Sequence, residues 1–128
     1  MLERHGKPGA GTEPEPGAFA APDGHFVVAF DEGRAVACGG LARYDEREGE
    51  IRRMYVAPGA RARGLGRAVL GALEEAARGL GYEALRLETG QRQHEALGLY
   101  ASAGFEQIPC YGPYVNDPLS VCFRKRLS

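Results

Sequence analysis

The sequence predicts an α+β fold, a mixed and mainly antiparallel sheet flanked by helices. Three observations carry that reading. Between Phe26 and Val56 three strand-like segments are joined by short turns, and such connections make an antiparallel meander. A stretch with apolar residues at steps of three and four then separates the third segment from another short apolar one, and a helix in that place makes a parallel crossover. A second helix-like stretch leads into two last strands. Antiparallel and parallel joins together give a mixed sheet with helices laid on it.

Residues 1–22 are rich in Gly, Pro, Ala and charge and have neither a helical nor a strand period. They read as a flexible arm ahead of one domain over 23–128. Residues 26–30 form the first strand, 35–44 the second and 50–56 the third, with the turns Asp31-Glu32-Gly33-Arg34 and Asp45-Glu46-Arg47-Glu48-Gly49 between them. In the helix over 66–80, Leu65, Val69, Leu73, Ala76 and Leu80 share one face. Arg67, Glu74, Glu75 and Arg78 fall mainly off it, and Gly79 and Gly81 end it. Residues 84–89 are a strand parallel to the third. The helix over 93–103 aligns Ala96, Leu99, Tyr100 and Ala103, and Gly104 stands where a left-handed cap is wanted. The last strands, 105–109 and 119–126, are joined by a turn-rich connection.

A chain of 128 residues with 44% hydrophobic and 26% charged residues suits a single globular domain. A formal net charge of -1 leaves no global basic field for nucleic acid. No apolar run approaches the roughly 18 residues of a membrane span, and no signal-like apolar core opens the chain, so cytoplasmic residence is the expectation and no membrane partner is indicated. Cys38, Cys110 and Cys122 are odd in number and make no C-x-x-C, which signals neither a disulfide scaffold nor a zinc site, although Cys110 and Cys122 flank the same turn. His5, His25 and His94 have no metal-ligand spacing, and no metal is expected.

The run Val56-Ala57-Pro58-Gly59-Ala60-Arg61-Ala62-Arg63-Gly64-Leu65-Gly66-Arg67 joins a strand to a helix start. The first N–H groups of a helix lack internal partners and carry partial positive charge, glycines admit a ligand close to the backbone, and arginines suit phosphate. A phosphate-bearing ligand follows. Gly59 and Gly64 have P-loop spacing, but Leu65-Gly66 replaces the required Lys-Ser/Thr. A dinucleotide motif needs a third glycine where Val69 stands, and it follows the first strand of a parallel unit rather than a meander.

The pattern Arg61-x-x-Gly64-x-Gly66, preceded by Met54-Tyr55-Val56-x-Pro58, resembles the acetyl-CoA-binding segment of the GNAT N-acetyltransferase superfamily. The later run Gln93-His94-Glu95-Ala96-Leu97-Gly98-Leu99-Tyr100-Ala101-Ser102-Ala103-Gly104-Phe105 is similar to the family's second signature, N-x-x-A-x-x-L-Y-x-x-x-G-F. The resemblance spans 26–127, with the order of strands and helices in agreement. Gln93 replaces the usual Asn. The family normally opens with a strand and one or two helices that wall the acceptor pocket, and here they are shortened or absent. A natural minimal version, a start set too far downstream, and completion by a partner such as a second copy in a homodimer all fit.

The resemblance implies direct acetyl transfer from acetyl-CoA to an amine on a small molecule or protein. Backbone N–H groups of Ala62, Gly64, Leu65, Gly66 and Arg67, with Arg61 and Arg63, would hold the pyrophosphate. The backbone of Met54, Tyr55 and Val56 would bind the pantetheine arm and the thioester oxygen, and Gln93 falls on the cofactor side. Tyr100 would protonate the leaving thiol, and Glu88 would take the amine proton, with Glu50 as the other candidate. Tyr111-Gly112-Pro113-Tyr114 would border the acceptor pocket. The alternative is a non-catalytic CoA-binding or regulatory module with a degenerate acceptor site.

Overall fold

In the computed structural model, which describes residues 2–3, 23–60, 64–91 and 94–127, the strands are β1 (Leu2–Glu3), β2 (His25–Asp31), β3 (Arg34–Arg43), β4 (Glu48–Val56), β5 (Ala84–Gly90), β6 (Glu106–Ile108) and β7 (Ser120–Arg126). Helix α1 (Leu65–Gly79) follows β4 and α2 (His94–Ser102) follows β5. One sheet runs in the order β1-β2-β3-β4-β5-β7-β6, and only the β4–β5 pair is parallel. The expected meander, crossover and terminal strands are all present.

One expectation changes at the start of the chain. Leu2 and Glu3 pair antiparallel with Ala29 and Val28, so the beginning of the presumed flexible arm is an edge strand. Edge pairing uses backbone N–H and C=O groups and needs no side-chain period, which is why no pattern announces it. The rest of that arm lies outside the described residues.

Alternation sorts the strands' side chains onto two faces. Val27, Ala29, Ala37, Leu41, Ile51, Leu85, Leu87 and Phe123 pack with Val69, Leu70, Leu73 and Ala77 of α1 and Tyr100 of α2. Phe26, Val28 and Cys38 form a smaller cluster with Phe30 on the opposite face. Gly39 lets α1 close on the sheet: a Cβ there would stand 2.6 Å from Met54 Sδ, 2.9 Å from Leu73 Cδ1 and 3.0 Å from Val69 Cγ1. Glu74, expected off the apolar face, is instead buried at 8% exposure. Lys125 of β7 brings it in, donating to Glu74 Oε1 at 3.0 Å and to the Ala103 carbonyl at 2.7 Å, which ties α1, β7 and the end of α2 together.

On the opposite face Glu48 of β4 accepts from Arg86 of β5 at 2.9 Å and from Arg124 of β7 at 3.0 Å. Burial raises the Glu48 pKa, but the two guanidinium hydrogen bonds outweigh it and hold the carboxyl below its ordinary 4.5. Cys110 and Cys122, for which the odd cysteine count signalled no disulfide, are bonded to each other with Cα atoms 5.2 Å apart. Flanking one turn lets them approach each other, as the sequence indicates, and the antiparallel β6–β7 pairing, with Ile108 opposite Cys122, brings them together.

Three outcomes follow. Gly39→Ala should lower stability by about 1–3 kcal/mol through overpacking, measured by urea unfolding. Replacing both Cys110 and Cys122 by Ser should cost about 3 kcal/mol, since the bridge closes a loop of sequence separation 12. The lowered Glu48 pKa means that its ionised form favours the folded state, fully above about pH 4.5 and progressively less as pH falls through the folded value. The stability difference between wild type and Glu48→Gln should therefore narrow on acidification, and a constant difference would contradict the assignment.

Candidate active site

The parallel register of β4 and β5 runs from Glu48↔Ala84 to Ile51↔Leu87 and stops. β4 continues to Val56 against β3, and β5 continues to Gly90 against β7. The two strands therefore part in the middle of the sheet. The cause is a bulge in β4. Gly40 pairs with Arg52 and Cys38 with Tyr55, so Gly39 alone faces both Arg53 and Met54. Arg53 takes the left-handed region at φ 59°, uncommon for a residue with a side chain. Such an extra residue bends and twists its strand, here away from β5. Cys38 Sγ donates to the Arg53 carbonyl at 3.4 Å, at the bulge itself. Beyond it Met54 and Val56 pack toward the helices, while Tyr55 is half-exposed.

A 3-10 turn at Pro58–Ala60 follows β4. Arg61, Ala62 and Arg63 lie outside the described residues, as does Gln93. Gly64 precedes α1 in the left-handed region at φ 78°, and no acidic residue occupies the first turn of the helix. Gly66 sets the depth of that helix start. A Cβ on it would lie 3.2 Å from Leu99 Cδ2 and 3.3 Å from Val56 Cγ2, so its absence brings α1, α2 and the end of β4 together. Leu65 packs against the core. The Arg67 side chain donates to Ser102 Oγ, which in turn donates to the Leu99 carbonyl at 3.0 Å. That guanidinium ties α1 to α2, while the backbone N–H groups of residues 65–67 belong to the turn that has no internal helical acceptors.

Tyr100 sits beside Leu99 on α2 and is 4% exposed. Its ring lies 5.8 Å from that of Phe105 and 5.9 Å from that of Phe123. Burial pushes its phenol up to about 12, so it remains protonated at neutral pH.

The open face beside the parting carries the acidic candidates. Glu88, in register with Cys122, accepts from Ser120 Oγ at 2.6 Å. Glu50 accepts from the Tyr111 hydroxyl at 2.9 Å and has Arg52 Nε at 3.8 Å. The connection between β6 and β7 folds over this face. Tyr111 and Tyr114 meet edge to face at 5.8 Å, and the Arg86 guanidinium lies 4.7 Å from the Tyr111 ring and 4.2 Å from that of Tyr44. Burial, and then the charge of Glu50, pushes the phenols of both Tyr111 and Tyr114 above their ordinary value. The structure thus gathers Met54, Val56, Leu65, Gly66 and Tyr100 on the helix side of the parting, and Glu50, Glu88, Tyr111 and Tyr114 on the other. The partnership of Tyr111 with Glu50 and the clamp of Arg86 between two tyrosines were not read from the sequence. The one local sign of them is a pair of aromatics in the turn that Cys110 and Cys122 enclose.

Among the described residues no helix is long and apolar enough to cross a membrane, and no group of three His, Cys, Asp or Glu side chains is arranged to hold a metal.

The chain matches the model of the acetyltransferase (GNAT) family over residues 3–105. It is 43% identical over 110 residues to an IAA acetyltransferase of Azospirillum brasilense, covering 85% of this chain and 72% of that protein. It is 35% identical over 108 residues to an uncharacterised N-acetyltransferase, YsnE, of Bacillus subtilis, covering 83% and 72%. Among solved structures, a GNAT family acetyltransferase from Elizabethkingia anophelis with acetyl-CoA bound superposes with a TM-score of 0.72 at 19% identity, over 98% of this chain and 97% of that one. The chain therefore shares its fold with that structure and is a member of the GNAT acetyltransferase family.

Proposed function

We propose that this acetyltransferase moves the acetyl group of acetyl-CoA directly to a primary amine. The observation that carries the reading is the parting of β4 from β5 with the start of α1 beside it. Acetyl-CoA supplies an acyl group already activated as a thioester. The residues suit it: the first turn of α1 has no acidic residue to repel a pyrophosphate, and Gly64, where a Cβ would meet only open space, puts no side chain in its way. In this reading the backbone N–H groups of Gly64, Leu65, Gly66 and Arg67 hold the pyrophosphate, with Arg61, Ala62 and Arg63 contributing to the same cradle and Gln93 also binding the cofactor. The backbone of Met54, Tyr55 and Val56 lines the pantetheine arm as an added strand would, and one N–H there polarises the thioester carbonyl.

Glu88 takes a proton from the incoming ammonium, with Glu50 as the second carboxylate on that side. The neutral amine can then form its C–N bond as the C–S bond breaks. The Tyr100 hydroxyl gives its proton to the departing sulfur, a role suited to a phenol that burial keeps protonated. The second proton leaves the newly acylated nitrogen for solvent, and the phenolate takes a proton back from solvent, which restores the phenol and leaves the neutral amide and free CoA thiol.

Thiol release from acetyl-CoA across a panel of primary amines tests the activity. Tyr100→Phe should bind CoA within a few-fold of wild type and unfold at a similar temperature, yet lose turnover on the order of 10²-fold. Retained turnover would make Tyr100 a core residue with no part in the chemistry. CoA binding without transfer to any amine would favour the non-catalytic module.

A further inference from the structure

We infer that Tyr111 is a positioning residue for Glu50, held in place by the Cys110–Cys122 bridge and by Arg86. The inference rests on the acetyl-transfer reading, with the amine approaching the face that carries Glu50 and Glu88.

Tyr111 belongs to no strand or helix, and yet it is only 9% exposed. Its placement is fixed from several directions at once. The preceding residue, Cys110, is covalently joined to Cys122, which is fully buried on β7 opposite Glu88. The Arg86 guanidinium lies over its ring at 4.7 Å, and Tyr44 meets the ring edge-on at 5.3 Å. Arg86 is itself anchored to Glu48 at 2.9 Å. A phenol so held presents its O–H in one direction, and that O–H donates to Glu50 Oε2 at 2.9 Å.

Two glutamates on the same face of β4, two residues apart, are treated differently. Glu48 is bound by two guanidinium groups, and its charge is matched on the spot. Glu50 is held through one oxygen by a neutral donor, and its other oxygen makes a looser ion pair with Arg52 Nε at 3.8 Å. A neutral hydrogen bond fixes the orientation of a carboxylate without cancelling its charge. That suits a group that must attract an ammonium or receive its proton, whereas a carboxylate bound by two arginines suits a structural tie. The bridge and the arginine clamp convert a connecting segment into a rigid support for one carboxylate.

The experiment compares wild type, Tyr111→Phe, Glu50→Gln and the double variant, using the amine of the panel that wild type acetylates fastest. Tyr111→Phe keeps the ring and its contacts and removes only the hydroxyl. It should lower kcat/KM for the amine at least tenfold while leaving the CoA dissociation constant within twofold and the melting temperature nearly unchanged. The double variant should lose no more than Glu50→Gln alone, because the hydroxyl acts only through that carboxylate. A Tyr111→Phe enzyme as fast as wild type, or losses that simply add in the double variant, would overturn the assignment while leaving acetyl transfer intact. A wild-type protein that acetylates no amine would overturn the acetyl-transfer reading itself, and this one with it.

Discussion

The parting of β4 from β5 is the constraint on which the rest of the site depends. A strand in a sheet normally keeps both neighbours, and β4 keeps β3 along its length but loses β5 after Ile51. The extra residue at the bulge forces the choice. Holding Arg53 at φ 59° costs about 1–2 kcal/mol, which persists only because surrounding structure determines it. Gly39 provides much of that determination. With no side chain, it faces two residues of β4 and admits Met54, Leu73 and Val69 to the same small volume. The bulge, the close approach of α1 and the opening in the sheet are thus one packing solution.

The opening divides the molecule's chemistry between the faces of the sheet. The helix face carries the glycine-rich start of α1 and the buried tyrosine of α2, both resting on the main core. The opposite face carries carboxylates, guanidinium groups and tyrosines in a connected network. Glu48, Arg86 and Arg124 secure β4, β5 and β7 where those strands still run side by side. Nearer the parting, Glu50 and Glu88 are hydrogen-bonded by the hydroxyls of Tyr111 and Ser120. Glu48 is matched by two close guanidinium groups where the sheet holds, while Glu50, nearer the opening, has a neutral hydroxyl donor and a looser ion pair with Arg52.

Much of the fold is legible along the chain because its elements obey local periods. The stripe on α1 identifies Val69 and Leu73, and the meander follows from short turns between alternating segments. Tyr100 shows where local reading stops. Its position on an apolar stripe next to Leu99 is equally compatible with a core residue and with a proton donor, and in the structure it is buried while its phenol is shifted upward. Glu74 shows a different limit. It lies off the apolar stripe, but Lys125 meets it from 51 residues away. The bond from Tyr111 to Glu50 spans 61 residues, and the disulfide depends on the register of two strands.

The sequence by itself determined the elements, their order, and the glycine- and arginine-rich helix start that marks the family, because each of these is written in neighbouring residues. The tertiary structure alone decided where the sheet opens, which glutamate is bound by two arginines and which by a tyrosine hydroxyl, and how Cys110, Tyr111 and Arg86 come together beside the opening. The reason is physical. Backbone propensity and hydrophobic period act over a few residues, whereas a bulge, a buried ion pair and a hydrogen-bonded carboxylate exist only once distant strands have taken their register.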